Sequence, residues 1–153
     1  MNPEQLAILK AYLAKPDNVT YTFNGETYTL AKWVELRGDG AVAACLSDVA
    51  IGVSLGKTRT RDQVPANELK AAIAQSDEFP TMPSSVMDKL SWFISTDPFP
   101  MGNANMRNGV LAVLDPFVGA VAKFEGLTTT SASIAQALVG QDVTSTDISA
   151  ALA

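Results

Sequence analysis

Most residue spacings that resemble known reaction chemistry fall within one short stretch, residues 51–58. Gly56-Lys57-Thr58 matches the end of a phosphate-binding loop, but that loop also needs a glycine five residues earlier, where this chain has Ile51. Because such a loop holds phosphate with backbone N–H groups at fixed spacing, the partial match does not predict a nucleotide site. Ser54 and Lys57 have the Ser-x-x-Lys spacing of serine acyl enzymes, yet the companion Ser-Asp-Asn and Lys-Thr-Gly elements are missing.

The counts of histidine and cysteine exclude several kinds of reaction centre. The chain of 153 residues has no histidine, so it can form neither a Ser-His-Asp triad nor a histidine-ligated zinc or haem site. Its one cysteine, Cys45, excludes an internal disulfide bond and a cysteine-rich metal site. No basic residue flanks Cys45 to lower its pKa, so we interpret it as a small core residue.

Acidic residues in the middle of the chain lack the spacing of a calcium-binding loop and occur where helix caps and solvated loop ends are expected. They include Asp62, Asp77-Glu78, Asp88, Asp97 and Asp115. A carboxylate pair of the glycosidase type stays open, since any acidic domain offers such pairs. We predict no catalytic residue, no cofactor and no metal ligand, with a small carboxylate-dependent hydrolase as an alternative function.

The charge balance disfavours a protein whose main task is to hold nucleic acid through its phosphates. Eleven Lys and Arg residues against sixteen Asp and Glu residues give a net charge of −5. No apolar run approaches the roughly 20 residues that span a bilayer, and the first residues lack the features of a signal peptide. We therefore expect a cytoplasmic protein that does not bind membranes.

The most distinctive charged motif is Lys57-Thr58-Arg59-Thr60-Arg61. On a strand, Lys57, Arg59 and Arg61 would share one face and the threonines the other. One interpretation is a solvated face whose charges protect a sheet edge from unwanted pairing. The other is a cationic row that meets carboxylates of a neighbouring subunit or phosphates of nucleic acid.

The elements that must position these residues are mostly helices. Asn24-Gly25 separates two stretches of β-branched and aromatic residues and predicts a β-hairpin over residues 19–30, with Thr29 as the N-cap of a following helix. A further strand is predicted around residues 53–61, within an extended segment over residues 49–64. Apolar periodicity and capping residues predict helices over residues 3–14, 41–46, 65–74, 84–94, 103–114 and 117–124. The fold class is therefore mainly α (α+β): a small helical domain with one hairpin, whose single core includes Trp33 and Trp92.

From residue 127 the composition shifts to Ser, Thr and Ala. Residues 130–138 and 144–152 are similar in sequence, and each predicts a hydroxyl cap followed by a two-turn helix. Duplication and chance similarity of two capping sequences both explain this likeness. We predict a single globular domain over residues 1–126 and a flexible C-terminal arm with two short helices over residues 127–153.

Two loops place apolar residues between prolines: residues 79–83 and residues 98–101. Since proline fixes the backbone, we expect that these side chains cannot all turn inward and that they form a contact surface for another chain. The predicted interface joins these loops to the basic row and to apolar residues of the arm. Its residues are Lys57, Arg59, Arg61, Phe79, Met82, Phe99, Met101, Ile134, Leu138, Ile148 and Leu152.

Five short motifs follow one another between residues 39 and 152. They are Asp39-Gly40-Ala41-Val42-Ala43, Lys57-Thr58-Arg59-Thr60-Arg61-Asp62, Asp88-Lys89-Leu90-Ser91-Trp92, Asn105-Met106-Arg107-Asn108-Gly109 and Thr144-Ser145-Thr146-Asp147-Ile148-Ser149-Ala150-Ala151-Leu152. Their order resembles that of small proteins encoded among the virion structural genes of tailed bacteriophages. Residues 15–38, which hold the hairpin, have no counterpart in that pattern.

The resemblance implies a non-enzymatic virion structural protein at the head–tail junction or in the tail. Such a protein would form a ring or sleeve with copies of itself and bind portal, connector or tail subunits. It would occupy the host cytoplasm during assembly and then the virion, and would meet nucleic acid at most by its passage through a lumen. A monomeric binding module or host-interaction protein stays open as an alternative, because it would have the same composition.

Overall fold

Helices account for 58% of the computed structural model, which describes residues 1–153. Ten α-helices are accompanied by four short strands in two two-stranded sheets, which confirms the predicted mainly α (α+β) fold class. None of the helices is long and apolar enough to cross a membrane. The elements in chain order are α1 (Pro3–Ala14), β1 (Thr20–Phe23), β2 (Glu26–Thr29), α2 (Leu30–Glu35), α3 (Asp39–Ser47), α4 (Val49–Ser54), β3 (Thr58–Thr60), α5 (Ala66–Ala74), a 3-10 turn (Phe79–Thr81), α6 (Ser84–Ile94), α7 (Ala104–Leu114), α8 (Val118–Glu125), β4 (Thr129–Ser131), α9 (Ile134–Val139) and α10 (Ser145–Ala151).

The chain divides into two compact units. The terminal unit consists of Met1–Arg59 and Ser131–Ala153, and the inserted unit consists of Thr60–Thr130. This division differs from the expected globular domain over residues 1–126 with a separate arm. Ile134 and Ile148 are fully buried in the core of the terminal unit, so the segment expected to be a flexible arm is part of that core.

The beginning of the terminal unit follows local sequence signals closely. Asn2 and Gln5 form a capping box at the start of α1. β1 and β2 pair antiparallel around Asn24 and Gly25, whose positive φ angles of 50° and 81° suit a tight hairpin turn. The Thr29 hydroxyl accepts a hydrogen bond from the Lys32 N–H and caps α2. The predicted hairpin and its capping threonine are therefore confirmed.

The core of the terminal unit combines one large aromatic residue with many small side chains. Trp33 is 6% exposed, meets the rings of Phe23 and Tyr28 edge-on, and donates its indole N–H to the Tyr21 carbonyl at 2.9 Å. The buried residues of α3 include two alanines, Ala41 and Ala43, and Cys45. Small side chains let backbones approach closely, and α3 packs against α2, α9 and α10.

Residues 49–54 form α4, although an extended segment was predicted there. The Asp48 carboxylate accepts the Ala50 N–H at 2.9 Å and caps this helix. Gly52 is buried so closely against the Ala132 carbonyl that an added Cβ would collide with it. The strand expected around residues 53–61 is confined to Thr58–Thr60, which pairs with β4.

The inserted unit packs α5 to α8 around large side chains. Phe99 and Phe124 are fully buried with ring centroids 6.2 Å apart, and Met101 is fully buried beside them. Backbone hydrogen bonds join Val64 and Phe99 in both directions, at 2.8 and 3.0 Å. These bonds fix the loop over residues 98–101 with its apolar side chains directed inward, which contradicts the expected contact surface.

Two helices of the inserted unit begin at carboxylates that are distant in sequence. The Ala66 N–H at the start of α5 donates to Asp97 at 3.1 Å. The Gly119 and Ala120 N–H groups at the start of α8 donate to Glu78 at 2.7 and 3.2 Å. Neither helix has a side-chain cap from its own N-cap residue, so these acids satisfy N–H groups that would otherwise lack a partner.

Candidate protein-binding surface

The predicted basic row does not form one shared face. Lys57 lies outside β3 and its Nζ pairs with Asp17 at 3.1 Å. Arg61 forms a two-pronged ion pair with Glu68 at 2.7 and 3.1 Å, which raises the pKa of Arg61 and lowers that of Glu68, chiefly through the hydrogen bonds. Of the three cations, only Arg59 is exposed with no carboxylate within 4 Å. The other two form ion pairs within the chain.

Most of the predicted apolar interface residues belong to the two cores. Phe99, Met101, Ile134 and Ile148 have no exposed surface, and Met82 is 9% exposed. The other three are partly buried against their own cores: Phe79, Leu138 and Leu152. The expectation that these side chains form a contact surface is therefore wrong for the buried residues, because the fold itself covers them.

The inserted unit nevertheless has an apolar groove of about 260 Å³, which we call the α5–α6 groove. It lies between α5, the 3-10 turn and α6. Its apolar lining includes Ile73, Phe79, Met87, Leu90 and Ile94. Phe79 is the one predicted interface residue that lines it. A concave apolar surface of this kind can accept apolar side chains of a partner.

Helical spacing explains both the groove and an exposed tryptophan on α6. Met87, Leu90 and Ile94 follow one another at intervals of three and four residues, so they share the face that lines the groove. Trp92 lies four residues after Asp88 and three before Ser95, on the polar face. It is 69% exposed, and its ring meets Phe93 edge-on with centroids 4.9 Å apart. Trp92 is therefore a surface residue, which corrects the expectation that it joins the core.

The terminal unit presents a second apolar feature on α4. Val49 and Val53 are one helical turn apart and are 43% and 53% exposed; we call this pair the valine ridge. Ile51 and Leu55 pack in the opposite direction, against the core. The sequence did not indicate the valine ridge, because residues 49–64 were expected to be extended. At helical spacing, residues 49–55 have apolar side chains on both the exposed and the buried face of α4.

A second cavity in the inserted unit, of about 430 Å³, is more polar and is lined in part by Arg107, Glu125 and Thr128. Arg107 donates from Nη1 to the Met101 carbonyl at 2.9 Å, and no carboxylate lies within 4 Å of its guanidinium group. Arg107, the arginine of the motif over residues 105–109, therefore holds the loop that precedes α7. This contact gives the motif a structural role within the fold.

Cys45 and the acidic residues considered for reaction chemistry do not come together as a metal site. Cys45 is fully buried, as predicted, and burial raises its pKa to about 11, with the nearby Asp48 adding to the shift. No group of three or more Cys, Asp and Glu side chains is placed to hold a metal ion.

No family model, curated protein or solved structure matches this chain. The function must therefore be inferred from its own surface features, of which the α5–α6 groove, Trp92 and the valine ridge are the most distinctive.

Proposed function

We propose that this protein is a non-enzymatic structural subunit of a tailed-bacteriophage particle. It assembles into a ring or sleeve at the head–tail junction or in the tail, through contacts with its own copies and with portal, connector or tail subunits. The observation that carries the protein-binding part is the exposed Trp92 on the helix that lines the apolar groove. The order of the five motifs between residues 39 and 152 supports the bacteriophage part.

An exposed tryptophan is a strong candidate for the centre of an interface. Tryptophan is enriched at interface cores and among the residues that dominate binding energy. A tryptophan side chain can bury roughly 150–250 Å², at about 25 cal/mol per Å². Covering the exposed part of Trp92 would therefore contribute on the order of 3 kcal/mol to association. The α5–α6 groove lies on the other face of α6 and offers a partner a separate apolar surface.

The assembly state of the purified protein tests this proposal. Native mass spectrometry and negative-stain imaging at micromolar concentration should show rings or other oligomers, or complexes with neighbouring virion proteins. Trp92→Ser should weaken association, whereas Leu36→Ser, at a residue that is 49% exposed, serves as the control and should not. A strictly monomeric protein that binds no virion protein would contradict the proposal and favour a monomeric binding module.

A further inference from the structure

We infer that the α5–α6 groove of one copy binds the valine ridge of a second copy, so that subunits join head to tail. This inference rests on the proposed assembly function and identifies the partner of the groove. It joins a concave apolar surface of the inserted unit, whose floor includes the buried Ile73, Leu90 and Ile94, to an exposed apolar pair of the terminal unit. Both come from short helical segments, the form in which helix-in-groove recognition operates.

The ridge and the groove share a helical spacing. Val49 and Val53 are four residues apart on a helix, so they are separated by about 6 Å along its axis. The side chains of α6 that line the groove repeat over the same helical interval, at Met87, Leu90 and Ile94. Valine is short and stiff at χ1, so two valine side chains can enter a groove of about 260 Å³ with little loss of rotamer freedom.

The charges beside the two surfaces are complementary. Lys70 lies at the groove and has no carboxylate within 4 Å. Asp48 directly precedes the ridge, and no cation lies within 4 Å of its carboxylate. A ridge seated in the groove would let these two groups pair at the rim. Such a pair sets orientation and association rate more than affinity.

A contact of this kind is heterologous, because the two surfaces in contact are different. Each copy then has one free ridge and one free groove until a ring closes. Two variants that each lose a different surface should therefore be unable to assemble alone. Mixed together, they should form a pair through the one intact ridge and the one intact groove.

The test uses the full-length chain with one ridge variant and one groove variant at exposed positions. Val53→Asp places a charge on the ridge, and Ser91→Glu places one at the groove. Each variant alone should associate at least about tenfold more weakly than the unmodified protein, by sedimentation velocity. An equimolar mixture should give a 1:1 dimer and nothing larger. Leu36→Asp, at a similarly exposed residue of the terminal unit, should leave assembly unchanged.

A further variant tests the charge pair without removing the helix cap. Asp48→Asn keeps a side-chain oxygen that can accept the Ala50 N–H. It should weaken association a few-fold and reduce its dependence on salt concentration. A salt dependence equal to that of the unmodified protein would contradict the pairing of Asp48 with Lys70.

The outcomes separate this inference from the proposed function. If the protein assembles and both folded variants assemble as well as the unmodified protein, the ridge–groove contact is wrong and the assembly function stands. If both variants are folded by circular dichroism and defective alone, but give no dimer when mixed, the contact is also wrong. A strictly monomeric protein that binds no virion component would overturn the proposed function itself.

Discussion

Several helices of the two units begin in different ways. In the terminal unit, α1, α9 and α10 each start with a capping box formed by residues three positions apart. In the inserted unit, the first N–H groups of α5 and α8 donate to the carboxylates of Asp97 and Glu78. These acids lie 31 and 41 residues away in the sequence. A local cap stabilises one helix, whereas a distant cap also ties two segments together. Loss of a distant cap should therefore disturb more structure.

The largest effect is expected at the distant cap of α8. Glu78→Ala removes the acceptor of two backbone N–H groups and a negative charge at the positive end of the helix dipole. We expect the free energy of unfolding to fall by about 2 kcal/mol, the upper end for cap removal. Urea denaturation measures this loss, and hydrogen exchange should show faster exchange in both α8 and the segment around the 3-10 turn.

Asp77→Ala is the matched control, since Asp77 is an exposed acid next to Glu78 that forms no side-chain hydrogen bond within the chain. It should change stability by less than about 0.5 kcal/mol. Equal effects of the two substitutions would show that Glu78 does not act as a cap.

A smaller effect is expected at a local cap of the terminal unit. The Thr144 hydroxyl accepts the Asp147 N–H at 3.3 Å and donates to the Asp147 carboxylate at 2.7 Å. Thr144→Ala should cost about 1 kcal/mol in urea denaturation, with faster exchange confined to α10. The exposed Thr146 offers the control, because Thr146→Ala changes the same helix without touching the capping box. Spread of the Thr144 effect beyond α10 would contradict the distinction between local and distant caps.

The same distinction explains how much of the fold can be predicted from sequence. The hairpin and the caps at Thr29 and Thr144 were predicted because their signals lie within a few residues. The first short C-terminal helix was also predicted, although its cap is Ser133 rather than a residue near position 130. α4 was missed because its glycine and β-branched residues have low helix propensity, whereas the Asp48 cap and the packing of Ile51 and Leu55 against the core favour the helix.

The candidate site was less predictable because burial depends on contacts between distant segments. Phe99 and Met101 were expected at the surface, but pairing of Phe99 with Val64 directs the loop inward. The groove needs α5, the 3-10 turn and α6 together, and no local pattern describes that arrangement. Trp92 could have been found, since its helical neighbours Asp88 and Ser95 place it on a polar face.

The smallest effect is expected from the charge in a local cap, and it should depend on pH. The Thr144 backbone N–H and hydroxyl donate to the Asp147 carboxylate and lower its pKa, and the N-terminal ammonium group adds to the shift. Because the folded-state pKa lies below the unfolded value of about 3.9, this stabilisation is fully present above that value and is lost as the pH falls through the folded-state pKa. Asp147→Asn should therefore cost about 0.5 kcal/mol at pH 7, discounted for solvent screening, with a smaller difference from the unmodified protein as the pH falls below about 4. Urea denaturation across this range measures the difference, and a gap that stays constant with pH would show that the charge contributes nothing to the cap.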